Sequence, residues 1–189
     1  MIDRASAWQI LTEFTKSDSL RKHALAVEAS MRAYARKYGE DPETWGVVGM
    51  LHDFDYEVHP TAPHHPMKGA EILRARGVPE NVVYAILCHA DYSGCPRISA
   101  LAHAIYACDE LSGFVTACAL VRPGKAIAGL EPASVRKKLK DKGFARSVNR
   151  DDIFRGADEL GIDLDEHIAF VINALEGVAP RIGLSGSPA

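Results

Sequence analysis

The sequence contains no apolar run approaching the roughly 20 residues that a helix needs to cross a bilayer. Its first ten residues, MIDRASAWQI, lack the apolar core of a secretory leader. Low-complexity and collagen-like segments are also lacking, and 47% hydrophobic with 25% charged residues is typical of globular chains. We therefore expect a globular, cytoplasmic protein that makes no contact with a membrane.

Cysteine is scarce and has no metal-binding spacing. The chain has four cysteines and no C-x-x-C pair. In a cytoplasmic protein we expect these thiols to be reduced and mostly packed in the core. Cys88 and Cys95 lie on either side of His89, so a thiolate zinc site is the alternative interpretation.

Strand signals and the usual nucleophile motifs are missing as well. No segment alternates apolar and polar residues between turn dipeptides, so no strand is predicted. There is no G-x-S-x-G elbow, no P-loop and no G-x-G-x-x-G. The expected fold is an all-α bundle of about seven to nine helices with short connections.

Helix start and stop signals are frequent. Ser17 and Asp18 are capping residues before a long amphipathic stretch that stops at Gly39. Asp41 followed by Pro42 is a second start signal, and Pro66 and Pro79 repeat it. Further helices are predicted over 99–121, 132–142, 150–161 and 164–178.

Several polar residues fall on helix faces that are otherwise apolar. His23, for example, shares a face with Leu20 and Val27, and Asp109 follows Ile105 by one turn. Each could be a hydrogen-bonded core residue or a cap, but each would then need its own buried partner. One divalent metal site (Mn, Fe, Co, Ni or Zn) would satisfy them all. The set is His23, His52, Asp53, His65, His89 and Asp109.

The order of these residues resembles the H…HD…D signature of the HD superfamily of metal-dependent phosphohydrolases. "MLHDFDYE" is similar to its HD helix end, and "HHPMKGAEIL" to the H-P-x-x-G-A-x-I-L segment of some branches. "CHADY" stands where those branches carry another histidine. The resemblance implies one HD-type domain over 1–189, with a metal-binding core over about 18–121. A basic helical extension (122–182) and a flexible tail (183–189) would follow.

The resemblance also implies roles for these residues. His23, His52, Asp53 and Asp109 would bind a first metal ion, and Asp53 would bridge to a second ion held by His65 and His89. His64 is the alternative to His65. The implied activity is hydrolysis of a small phosphorylated metabolite or nucleotide by a metal-activated hydroxide, with one or two metal ions and no organic cofactor.

The chain departs from the family pattern after the HD pair. The family often has H-D-I-G-K, where the lysine contacts substrate, whereas this chain has "HDFDYE". Lys68 either replaces that lysine or is a solvated helix residue, and Asp55 is either a proton shuttle or a surface carboxylate. Asp53, Asp55 and Lys68 are the candidate catalytic residues. No G-Y-P motif follows His89, so cyclic di-GMP hydrolysis is not indicated.

The segment 122–150 is strongly basic, with nine Lys and Arg against two acidic residues. It is interpreted either as a solvated helix face or as a phosphate clamp. The clamp residues would be Arg122, Lys125, Arg146 and Arg150, together with Lys68. The acidic remainder of the chain and the lack of interleaved aromatics argue against nucleic-acid binding.

Two other functions fit the same ligand set. A mixed-valent di-iron oxygenase of the HD fold would use the same histidines and aspartates. A non-catalytic ligand-binding or regulatory module could retain the fold and the metal. The sequence predicts no oligomeric state.

Overall fold

The computed structural model describes residues 2–186, and their only β-structure is one isolated bridge between Ala126 and Ser185. The all-α prediction is confirmed. These residues form ten α-helices, one more than expected, the last being a single turn. They are α1 (Arg4–Phe14), α2 (Asp18–Tyr38), α3 (Pro42–Leu51), α4 (His64–Ala75), α5 (Glu80–Leu87), α6 (Ala100–Leu120), α7 (Pro132–Leu139), α8 (Arg150–Leu160), α9 (Leu164–Glu176) and α10 (Ala179–Ile182).

The helix boundaries follow the capping signals of the sequence. The Ser17 side chain accepts a hydrogen bond from the backbone N–H of Leu20. Asp41 caps α3 in the same way. Gly39 ends α2 with a φ of 71°, a left-handed conformation that other residues adopt at a cost. The sequence analysis did not predict α1, which buries only three residues.

Helices α2 and α3 form the centre of the bundle. A Cβ atom at Gly49 would lie 2.9 Å from the backbone of Val27, so only glycine permits this approach. The close packing brings the first turns of α2 beside the end of α3. Helix α6 packs across α2, and buried Ser30 and Ser112 are hydrogen-bonded at 2.9 Å between them.

The C-terminal helices pack directly on the same core. A Cβ at Gly156 in α8 would lie 2.6 Å from the Cα of Ala107, which sets α8 tightly against α6. In α9, buried His167 donates to the carbonyl of Ala107 and accepts from the Tyr34 hydroxyl at 2.6 Å. Burial lowers the pKa of His167 to about 4, so it is a neutral core residue.

The C-terminal residues differ from the predicted flexible tail as far as residue 186. Leu184 is fully buried, and its carbonyl accepts a hydrogen bond from Ile127. Residues 187–189 lie outside the described part of the chain. Between residues 2 and 186, no helix is both long and apolar enough to cross a bilayer.

Candidate metal centre

Four side chains from three separate helices converge at one end of the bundle. His23 comes from α2, His52 and Asp53 from the end of α3, and Asp109 from α6. The Nε2 atom of His23 lies 2.9 Å from Asp109 Oδ1 and 3.2 Å from His52 Nε2. His52 Nε2 lies 3.2 Å from the same Asp109 oxygen. This first cluster can hold a metal ion.

A second cluster adjoins the first and shares Asp53 with it. His65 Nε2 and His89 Nε2 lie 3.1 and 3.4 Å from Asp53 Oδ1, and 3.1 Å from each other. The other oxygen of Asp53, Oδ2, faces His52 at 3.5 Å and His23 at 3.9 Å. Each oxygen of Asp53 therefore serves a different cluster, which is the arrangement of a bridging carboxylate.

Hydrogen bonds behind the histidines aim their nitrogen lone pairs inward. His52 Nδ1 donates to the carbonyl of Gly49 at 2.8 Å, and His89 Nδ1 donates to that of Ile86 at 2.6 Å. In the neutral ring the proton is then on Nδ1, which leaves Nε2 as a free base. Facing lone pairs 3.1–3.2 Å apart repel each other unless a cation or proton lies between them.

The spacing of these donor atoms fits a transition-metal ion. Ligands at the roughly 2.0–2.2 Å bond lengths of zinc and similar ions lie about 3.0–3.5 Å apart in tetrahedral or octahedral arrangements. The separations of 2.9–3.5 Å within each cluster match this, apart from the 3.9 Å of His23 to Asp53. Imidazole and carboxylate donors suit borderline divalent ions.

The charged groups of the two clusters shift one another's pKa values. Burial raises the pKa of Asp53, but the charge of His52 and hydrogen bonds from the surrounding histidines outweigh it and hold that pKa well below its usual value. The pKa of Asp109 is lowered for the same reason. Burial lowers the pKa of His65, yet hydrogen bonds to Asp53 and Asp55 raise it to about 9. A proton on His65 therefore competes with a metal ion for this site.

Asp55 supports His65 from behind, so it is not the surface carboxylate of the alternative interpretation, and its role as a proton shuttle stays a prediction. It is fully buried, one oxygen accepts from His65 Nδ1 at 2.8 Å, and the other accepts from the backbone N–H of Gly69 at 2.8 Å. A Cβ at position 69 would lie 2.7 Å from the Asp55 carboxyl carbon. Carboxylate–histidine pairs of this kind orient metal ligands, so Asp55 is a positioning residue.

The turn that carries Asp53 and Asp55 is fixed by its neighbours. Phe54 between them is fully buried, and its ring meets Phe14 edge-on at 5.2 Å. The Thr15 hydroxyl donates to the carbonyl of Phe54 at 2.9 Å. In "HDFDYE", the buried Phe54 thus fixes the backbone between Asp53, which both clusters share, and Asp55, which supports His65.

A cavity of about 730 Å³ opens over the two clusters. Its far wall is formed by the 145–149 segment and the start of α8. Besides Asp53 and Asp109, three carboxylates line it, and the sequence analysis singled out none of them: Asp91, Glu110 and Asp152. Burial, followed by the charge of Asp109, raises the pKa of Glu110 to about 8.

Three of the predicted substrate-binding residues are exposed and do not line this cavity. Lys68 is paired with Glu71 at 2.7 Å on the outer face of α4. Lys125 and Arg146 are also on the surface. Their contact with substrate, and the catalytic role of Lys68, stay predictions that this placement does not support.

The remaining two, Arg122 and Arg150, bind the backbone. The Arg122 guanidinium donates to four carbonyl oxygens of residues 126–129. That of Arg150 donates to the carbonyls of five residues between 139 and 148, and it lies 5.3 Å over the ring of Phe114. These guanidinium groups stabilise loops and are not available as a phosphate clamp. Of the basic segment, α7 covers only Pro132–Leu139.

The alternative metal ligands that the sequence suggested, His64 and the cysteines, lie outside the two clusters. His64 is exposed, whereas His65 is buried in the second cluster. Cys88 is buried, and its burial raises the pKa of the thiol to about 11. No cysteine belongs to either potential metal cluster found among residues 2–186.

Sequence reasoning missed Arg155, the one Lys or Arg among the described residues that line the cavity. It lies in α8, three residues after Asp152, and its side chain is 46% exposed. The only sequence signal for Arg155 was its three-residue spacing from Asp152 on one helix face, and such Asp–Arg pairs are common on solvated helices.

Part of the chain is similar to known proteins. The family described as HD domain matches residues 20–113. Ribonuclease Y of Oleidesulfovibrio alaskensis is 29% identical over 134 residues, 70% of this chain and 24% of the relative. Ribonuclease Y of Nitratidesulfovibrio vulgaris is 30% identical over 126 residues, 66% and 22% respectively. The chain spans about a quarter of the length of these curated relatives, and no solved structure matches it.

Proposed function

The chain belongs to the HD domain family through residues 20–113, and we propose that it is a dinuclear phosphohydrolase acting on a small phosphorylated metabolite or nucleotide. The family is one of metal-dependent phosphohydrolases, so the general class of reaction follows from membership. The number of metal ions and the kind of substrate are the proposal. Four cysteines without disulfides fit a reducing, cytoplasmic compartment.

The observation that carries the proposal is the division of Asp53 between the clusters. Oδ1 faces His65 and His89, and Oδ2 faces His52 and His23. Two divalent ions bound there would hold the phosphoryl oxygens and lower the pKa of water, which removes the need for a Ser or Cys nucleophile. Mn, Fe, Co, Ni and Zn all suit the donors.

The protein groups around the centre have separate tasks. Asp55 fixes the orientation of the His65 ring. The backbone carbonyls of Gly49 and Ile86 fix those of His52 and His89. The cavity over the clusters gives water and substrate access to the centre.

RNA is the second candidate substrate, because the relatives are named Ribonuclease Y. The cavity walls favour a smaller molecule. Arg155 is the single Lys or Arg among the described residues that line them, so a long polyanion would find only one cationic side chain there. The exposed lysines of the basic segment, such as Lys137 and Lys140, lie outside the cavity.

The decisive experiment combines metal analysis with a substrate panel. Protein purified without chelator is analysed for metal content, and then incubated with phosphomonoesters, nucleotides and a short oligoribonucleotide, with and without added Mn²⁺. We expect two equivalents of metal and metal-dependent release of phosphate or nucleoside from a small substrate.

Each other outcome has a definite meaning. Cleavage of the oligoribonucleotide alone would favour RNA as substrate. Failure of the metal-loaded protein to hydrolyse any member of the panel would overturn the proposal. In that case, O₂ consumption by anaerobically purified, iron-loaded protein would support oxygenase chemistry, and metal binding without either reaction would support a regulatory module.

A further inference from the structure

Arg155 is held at the edge of the cavity by two carboxylates. Its guanidinium lies 2.5 Å from Asp91 Oδ2 and 2.5 Å from Asp152 Oδ1, and its central carbon is 5.2 Å from the centre of the Tyr106 ring. Asp91 follows His89 by two residues, and Asp152 lies in the first turn of α8. Arg155 therefore links the wall beside the second cluster to the wall formed by α8.

Both carboxylates keep other donors if Arg155 moves away. Asp91 also accepts from Arg97 at 2.9 Å, and Arg97 is itself fixed by two hydrogen bonds to Glu159. Asp152 also accepts from the Tyr106 hydroxyl at 2.8 Å and from the Asn149 amide at 2.7 Å. Arg155 can thus exchange a carboxylate for a ligand anion without leaving either acid unpaired, which would be the costly outcome.

The position of Arg155 separates it from the reacting centre. Its ring neighbour Tyr106 precedes the metal-ligating candidate Asp109 by three residues, about 4.5 Å along α6. Arg155 lines the same cavity as His89 and Asp109, so an anion bound to it would share that cavity with a phosphoryl group at the clusters. Arg155 also lies outside residues 20–113, which match the HD domain family.

We propose that Arg155 is a specificity-determining residue that binds a second anionic group of the substrate. The substrate class is then a phosphorylated compound with another phosphate or a carboxylate a few bonds from the reacting phosphorus. This inference rests on the proposed function. A planar guanidinium suits either anion, since both accept two parallel hydrogen bonds.

Three non-hydrolysable probes test the idea by calorimetry on metal-loaded protein freed of excess metal. Methylphosphonate has one anionic group, phosphonoacetate adds a carboxylate, and methylenebisphosphonate adds a second phosphonate. We expect wild-type protein to bind one or both of the larger probes more tightly than methylphosphonate. In Arg155→Gln that preference falls by about tenfold or more, while methylphosphonate binding is unchanged. Which probe loses most identifies the second anion.

The controls separate this proposal from a general loss of structure. Arg136→Gln is the matched control, because Arg136 is 44% exposed, pairs with one acid, Asp165, and does not line the cavity. Arg155→Lys should keep part of the preference, since it retains the charge and loses the fork.

Two results would overturn the proposal alone: an unchanged preference in a folded, metal-loaded Arg155→Gln, or equal weakening of all three probes. Failure of wild-type protein to bind any probe would instead overturn the phosphohydrolase proposal on which this one rests.

Discussion

The metal centre and the basic segment 122–150 are both rich in charged or polar residues, but they differ in how these residues are used. In the centre, His52 and Asp55 are fully buried, and each forms a hydrogen bond with a specific partner. In the basic segment, the guanidinium groups of Arg122 and Arg150 donate hydrogen bonds to loop carbonyls. A polar residue on an apolar face requires a partner and is therefore informative. A basic residue in a polar segment does not reveal which acceptor it binds.

Removal of the shared ligand should have the largest effect. Asp53→Ala deletes the carboxylate common to both clusters, so we expect loss of bound metal and a fall in kcat/KM of more than about a thousandfold, or roughly 4 kcal/mol. Metal analysis and steady-state kinetics measure this. Exposed Asp158→Ala is the control and should change neither. Retention of full metal content by Asp53→Ala would contradict the bridging assignment.

Truncation of Arg150, which binds the carbonyls of the 139–148 segment, tests the basic segment. Arg150→Ala leaves several carbonyls of the 139–148 segment without their donor, and we expect a loss of about 2–3 kcal/mol in the free energy of unfolding, measured by urea denaturation. Arg150→Lys should not restore stability, because an ammonium cannot span these acceptors. Exposed Arg146→Ala should stay within about 0.5 kcal/mol of wild type. Equal losses of stability in Arg146→Ala and Arg150→Ala would contradict the role of Arg150 in stabilising this loop.

A smaller effect is expected from the residue behind the second cluster. Asp55→Asn weakens the support of His65, so metal affinity at the second cluster should fall about 10- to 100-fold while the first is unchanged. Calorimetric titration with Mn²⁺ separates the two binding steps. Glu71→Gln, on the exposed face of α4, is the matched control. If both steps weaken equally, Asp55 does not act through His65.

Per pH unit, the change in metal affinity with pH should be the smallest of these effects. In metal-free protein the pKa of His65 is about 9, above the 6.5 of an unperturbed histidine. The protonated ring contributes stability below about pH 6.5, and this contribution is lost as pH rises through about 9. Metal must displace that proton, so affinity should rise up to about tenfold per pH unit between pH 6.5 and 9. His65→Gln should reduce this slope, because one fewer proton is displaced, and an unchanged slope in that variant would contradict the assignment.

The success of the sequence analysis can be traced to particular residues. The helix containing His23 was delimited by Ser17 and Gly39, and its inward face followed from the spacing to Leu20 and Val27. Capping and periodicity are local properties, so the all-α fold could be predicted. Asp55 could not be assigned, because its carboxylate meets a histidine ten residues away and the N–H of Gly69 only after α4 has packed.

The sequence by itself determined which elements form and which polar residues must be buried, because helix caps and apolar periodicity act within a few residues. Tertiary structure alone decided that Asp55 supports His65, that Arg150 binds carbonyls, and that Arg155 reaches the cavity. Each of these contacts forms only when loops and helices have packed together, so neither caps nor periodicity indicates it. The close contact of Gly156 with Ala107 illustrates the reason: it sets α8 against α6 and so gives the cavity its single arginine.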